Sequence, residues 1–128
     1  MVRAHPIVGV GPNMVQPLYN QYRDPGAVAP VNPHLHNVPV QIAAERGLPA
    51  LAAWLVFVGV LLFDLGRTFR QACGAERTLA AGALAAVIGM LAAGMFEYNF
   101  GDSEFLMLLL IIITLPFAAA RPTAAAAA

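Results

Sequence analysis

The stretch NPHLHNVPVQIAAERGLP, Asn32 to Pro49, gathers two histidines, two asparagines, a glutamine and a Glu-Arg pair directly ahead of a long apolar run. Histidine is the side chain whose unperturbed charge change falls nearest neutral pH, so His34 and His36 are the first candidates for moving a proton. Asn37 stands where a helix N-cap belongs, before an amphipathic Val38–Arg46 stretch with Pro39 in the first turn and Gly47 as a C′ residue. Such an N-terminus carries free N–H groups and partial positive charge, which suits an anion such as a phosphate. The same dipole disfavours a cationic His36, leaving it as a neutral acceptor or general base; an ordinary capping or loop role fits the same spacing. Gln41 and Glu45 fall at i, i+4 on one face of this helix. His34-x-His36 has the spacing of two metal ligands, but no third histidine or carboxylate lies at an evident offset, so no metal site is expected.

Two other stretches compete for a chemical role. HPIVGVGPN, His5 to Asn13, contains Gly9-x-Gly11, but position 14 is methionine and no strand–helix pattern brackets it. A dinucleotide fingerprint is therefore rejected in favour of a tight turn closed by Pro12. FEYNFGDSE places Glu97, Asp102 and Glu104 between two apolar runs. The plain reading is a solvated hairpin; the alternative is that carboxylates there orient a histidine or an acceptor sugar.

The elements that must position these residues follow from polarity. Hydrophobic residues make up 59% of the chain, charged residues 11%, and mean hydropathy is +0.69, which points to a membrane protein. Net charge is zero, with seven arginines against seven acids and no lysine, so nucleic acid is not an expected partner. Cys73 is alone, and its default reading is a small apolar filler. Met1 to Pro12 lacks the apolar core of a secretory signal. Seven of the ten prolines precede Gly47, so residues 1–47 are expected to be irregular loop carrying the short helix 38–46.

Three apolar segments follow, at about residues 48–64, 79–96 and 105–120. They sit near the short end of the ~17–25 residues of a membrane-spanning helix and have no polar stripe. The expected fold class is thus an all-α membrane protein: an irregular outer-face loop with a short interfacial helix, then three transmembrane helices. Pro49 suits a helix start, and Pro116 threatens a kink. Arg67, Arg70 and Arg77 lie between the first two segments and Arg121 follows the third, whereas Glu97, Asp102 and Glu104 lie between the second and third. The positive-inside rule places the arginines and the C-terminus in the cytoplasm, and residues 1–47 and 97–104 on the outer face. Tyr98 and Phe100 fit interface anchors better than the deeper Trp54, and residues 121–128 are expected to be a disordered tail.

In this order, GVGPN, then HLHNVPVQIAAERGLPALAAWLVFVGVLL, then GMFEYNFGDSE, the chain resembles the C-terminal part of the O-antigen ligase and polymerase superfamily over about residues 4–118. The resemblance implies a multi-spanning GT-C type glycosyltransferase of the bacterial inner membrane, with the N-terminal loop in the periplasm. Its donor would be a glycan on undecaprenyl diphosphate, and its acceptor lipid A–core or another glycan, with membrane lipids around it, no cofactor and no required metal. His36 would be the base that activates the acceptor hydroxyl. Asn37, Gln41 and Glu45 match neighbouring motif positions, His34 adjoins them, and Arg3 and Arg23 are the local candidates for holding the diphosphate. Pro39 and Val40 replace the family's Tyr-Leu after His-Asn, and Ala50 replaces the second glycine of Gly-Leu-x-Gly. Members have about ten or more spans against three here, so the chain looks like a C-terminal fragment, inactive alone. A polymerase of the same superfamily and a non-catalytic membrane remnant or assembly subunit are the alternatives.

Overall fold

The computed structural model describes residues 1–120. Arg121 and the expected tail at 121–128 lie outside the described residues. Four α-helices make up the architecture: α1 (Val15–Tyr22), α2 (Val38–Gln71), α3 (Gly74–Ala93) and α4 (Ser103–Ala119), with a 3₁₀ turn at Asn99–Gly101. No strand occurs among the described residues. Two helices, α2 and α3, are long and apolar enough to cross a membrane; α4 is shorter, at 17 residues, and apolar.

α2 is two helices joined at a corner. Gly47 adopts φ 83°, ψ 173°, which breaks the hydrogen-bond ladder between a polar arm, 38–46, and an apolar arm, 48–71. Pro49 falls in the first turn of the second arm, where its missing N–H costs no intrahelical bond. The broken ladder leaves carbonyls of one arm and amides of the other without helical partners. Residues 6–11 supply them. Val10 and Gly11 donate to the Ala44 and Glu45 carbonyls at 2.8 and 3.0 Å, and Leu48 donates to the Pro6 carbonyl at 2.7 Å. Gly9 is buried at φ 66°, where a Cβ would collide with the Glu45 backbone; a Cβ on Gly47 would collide with Ile7. The glycine-rich turn is therefore a strap that splices the two arms.

Beyond the corner, α2 outlasts its apolar run. The segment 64–71 stays helical to Gln71, supported by Thr68 Oγ1 on the Asp64 carbonyl and by Arg67 Nε on Gln71 Oε1. The expected loop thereby shrinks to a turn at Ala72 and Cys73, with Arg77 stacked over Phe69 at 4.7 Å. Cys73 is exposed in that turn, not a core filler, because no helix face carries it inward. α3 is the central helix. Ala80, Ala83, Val87 and Met90 recur at helical spacing and bury one face, and Leu65, Leu109 and Ile113 close the core from α2 and α4.

A helix in the N-terminal segment was not expected. α1 contains Pro17, which sequence reasoning takes as a breaker; here Pro17 lies in the first turn, where N–H groups have no helical acceptor. Val15, fully buried, anchors α1, and Tyr22 OH meets His5 Nε2 at 3.0 Å.

Candidate functional site

The polar arm begins with a directed cap. Asn37 Oδ1 accepts from the Val40 amide at 2.9 Å, and Asn37 Nδ2 donates to the Met95 carbonyl at 3.0 Å. Next to it, the Val38 amide donates to the Gly94 carbonyl at 2.7 Å, a close approach that a Cβ on Gly94 would crowd against Val38. Two consecutive residues at the start of α2 are thus stitched to two at the end of α3. The residues just outside the stitches, His36 and Glu97, must then face each other.

His36 Nδ1 lies 3.3 Å from both oxygens of Glu97. His36 has φ 50°, the left-handed region, which costs a β-substituted residue roughly 1–2 kcal/mol. Its side chain is half exposed, and Nε2 has no hydrogen bond among the described residues. With Nδ1–H held by the carboxylate, Nε2 carries the free lone pair. The Tyr98 amide on Oε1, at 2.9 Å, holds the Glu97 carboxyl below its ordinary 4.5, more than its partial desolvation raises it; His36 and His34 lower it further.

His34 completes the cluster. Its ring packs edge-on to His36 at 4.3 Å, and its Nδ1 lies 3.4 Å from Glu97 Oε1. That nitrogen is buried and makes no directed hydrogen bond, so the contact is proximity only. Gln41 and Glu45, each 2% exposed, sit beneath the loop. Gln41 Oε1 accepts from the Leu35 amide and its Nε2 donates to Glu45 Oε1, both at 2.8 Å. Their carboxamide and carboxylate are committed to holding the loop between His34 and His36, and Glu45 Oε2 also lies 3.6 Å from Arg46.

The family resemblance groups His34, His36, Asn37, Gln41 and Glu45; in the structure Gln41 and Glu45 lie beneath the loop that carries the histidines, linked to it through the Leu35 amide. Arg3 and Arg23 do not join them: both are exposed and make no ion pair with the cluster among the described residues. Of the three acids read between the apolar runs, only Glu97 reaches the histidines; Asp102 and Glu104 open α4, where they face its positive end. Arg46 is the cation that sequence reasoning passed over. It lines a groove of about 480 Å³ with Asn13, Trp54, Tyr98 and Phe100. Tyr98 is common to both places, its ring 6.0 Å from that of His34. Trp54 packs edge-on to Phe100, and its Nε1 is a buried donor without a partner among the described residues. The signal for Arg46 was its place one residue before the corner glycine, at the polar–apolar boundary.

No protein-family model, curated protein or solved structure matches this chain. The arrangement therefore speaks through its chemistry: an imidazole with one nitrogen held by a carboxylate and the other open, next to an amphipathic groove with one cation.

Proposed function

We propose that the chain is the C-terminal, catalytic-loop-bearing part of an O-antigen ligase-like membrane glycosyltransferase, moving a glycan from undecaprenyl diphosphate to lipid A–core or another acceptor. The observation that carries this is the His36–Glu97 pair with Nε2 open. His36 Nε2 takes the proton of the acceptor hydroxyl as its oxygen bonds to the anomeric carbon of the donor sugar. The bond from that carbon to the diphosphate oxygen breaks, and its electron pair leaves with undecaprenyl diphosphate. Glu97 fixes the ring's tautomer and stabilises the imidazolium as it forms. Arg46 offers a charge-assisted contact to a phosphate at the mouth of the groove, while Trp54 and Phe100 offer apolar surface to the lipid. Asn37, Gln41 and Glu45 position the loop.

In this reading α2, α3 and α4 all cross the bacterial inner membrane, with residues 1–47 and 94–102 on the periplasmic side. The 17 residues of α4 extend about 26 Å, near the ~30 Å of hydrocarbon to be crossed. Further spans of a longer enzyme complete the donor cleft. A polymerase would use the same base and differ only in acceptor.

The test joins this chain to the upstream spans of such a transferase and follows glycan transfer from the lipid-linked donor. His36→Ala is expected to lower transfer by about 10²–10⁴-fold with insertion unchanged. His36→Gly relieves the left-handed strain, so it is expected to abolish transfer while leaving the fold as stable as before, within about 1 kcal/mol. Undiminished transfer in either variant overturns the catalytic assignment.

A further inference from the structure

Both histidines turn Nδ1 toward Glu97. His36 Nδ1 is 3.3 Å and His34 Nδ1 is 3.4 Å from the same oxygen, Oε1, and one donor atom from each of the three residues lies within 4.8 Å of the others. An ion with tetrahedral bonds of ~2.0–2.1 Å holds its ligand atoms about 3.3 Å apart. Two edges of such a site therefore already have the required length, and the donor atoms of the two rings lie within 4.8 Å of each other. His34 Nδ1, buried and without a hydrogen bond, is a donor atom that the protein alone leaves unanswered. Glu97 is anchored by the Tyr98 amide on Oε1, the outer-shell support that a ligating carboxylate needs. The ligand set, two imidazoles and one carboxylate, selects zinc and its neighbours over calcium or magnesium.

We propose that His34, His36 and Glu97 form a binding site for a divalent transition metal of zinc's class, with the fourth position open to water. The consequence for chemistry rests on the general-base reading of His36; the binding does not. A metal on Nδ1 uses that lone pair, and the single proton of the neutral ring then sits on Nε2. No lone pair remains for an acceptor's proton. Metal occupancy and general-base catalysis at His36 are mutually exclusive, so the metal is an inhibitor.

The test uses the whole 128-residue chain in detergent micelles, titrated with zinc chloride against a chromophoric chelator and, separately, with cobalt(II) for its visible absorption. One equivalent of zinc and the intense bands of four-coordinate cobalt are expected. His34→Ala and Glu97→Gln should each weaken binding by roughly tenfold or more at unchanged helical circular dichroism. His5→Ala, whose ring sits on Tyr22, should leave it unchanged. The milder His34→Gln keeps the test alive if His34→Ala unfolds. Zinc binding that survives substitution of all three ligands, or no binding above that triple variant, overturns the site. In the spliced transferase, bound zinc with undiminished transfer sinks the general-base reading and leaves the metal site standing. Loss of transfer in His36→Ala, in a transferase whose unsubstituted form binds no zinc, does the reverse.

Discussion

The two ends of α2 are built on opposite principles. The polar arm, 38–46, is held by directional bonds on every side: the strap at its C-terminus, the Asn37 cap and the Gly94–Met95 stitches at its start, Gln41 and Glu45 within. The apolar arm has almost nothing. Only 11% of its most apolar 18-residue window is buried, and Leu55, Val56, Phe57, Val60 and Phe63 stand exposed. Geometry is therefore set at the polar end by hydrogen bonds inside this chain. The apolar arm packs mainly on α3, with Trp54 against Phe100, and leaves the rest of its surface exposed. A site needing sub-ångström placement belongs on the first kind of structure.

Glycines give the sharpest break between the two regions. Gly47 has φ 83° and no room for a Cβ, whereas Gly59, Gly66, Gly82 and Gly89 meet nothing within 4 Å. Gly47→Ala incurs the left-handed penalty and dislodges the strap with its three hydrogen bonds, together roughly 3 kcal/mol or more. Hydrogen exchange should show the Val10, Gly11 and Leu48 amides losing protection. Gly82→Ala, on the exposed side of α3, should be neutral or stabilising by up to about 1 kcal/mol. Equal protection in Gly47→Ala and wild type would mean that the strap does not hold the corner. If Gly59→Ala is harmless here but destabilises a longer transferase, further helices pack on that face.

What the sequence made legible was local. Asn37, Pro39, Gly47 and Pro49 carry their conformational preferences with them, so the cap, the polar helix and the corner could all be read from one window. The same logic misfired at Pro17, since a proline is a breaker or a harmless first-turn residue depending on a start that only Val15's burial reveals. Glu97 lies 61 residues from His36; the sequence offers it, with Asp102 and Glu104, as a carboxylate that orients a histidine, but not which of the three does so, and the pairing follows from Val38 and Asn37 finding Gly94 and Met95 across the bundle. The proposed third metal donor, Glu97, lies far outside the short spacings at which sequence shows a ligand set. The extension of α2 to Gln71 escaped because charged helix formers continue a helix after its hydrophobicity ends.

Asn37 tests whether the stitches or the cap do the positioning. Asn37→Ala removes both side-chain bonds and should cost about 1–2 kcal/mol of local stability. Asn37→Asp keeps an acceptor for the Val40 amide but no donor for the Met95 carbonyl. Exchange at Val40 should therefore recover in the aspartate variant. If the tie through Met95 matters, the His36–Glu97 contact should not recover, as read from the Glu97 carboxyl signal in a nuclear magnetic resonance titration. A full return of that signal with aspartate would assign the positioning to the Val38–Gly94 bond alone.

The smallest effect is the most diagnostic of the polar end, because it probes one charge at an exposed position. The Tyr98 amide, then the two histidines, pull the Glu97 carboxyl below 4.5, against a weaker opposing effect of desolvation. A depressed carboxyl contributes stability that is fully present above its unfolded value and is lost as pH falls through its folded one. Wild type should thus exceed Glu97→Gln in local protection above about pH 4.5, and the part of that margin owed to the Tyr98 bond should shrink as pH falls below it. The Tyr98 amide reports this directly, since its donor bond ends on Glu97 Oε1. Its chemical shift should titrate with a midpoint under 4.5, and no comparable step should occur within Leu48 to Phe63, which hold no carboxylate. A midpoint at or above 4.5 would show that the amide and the imidazoles do not hold the carboxylate charged. Glu97 would then lose its standing as the group that fixes His36.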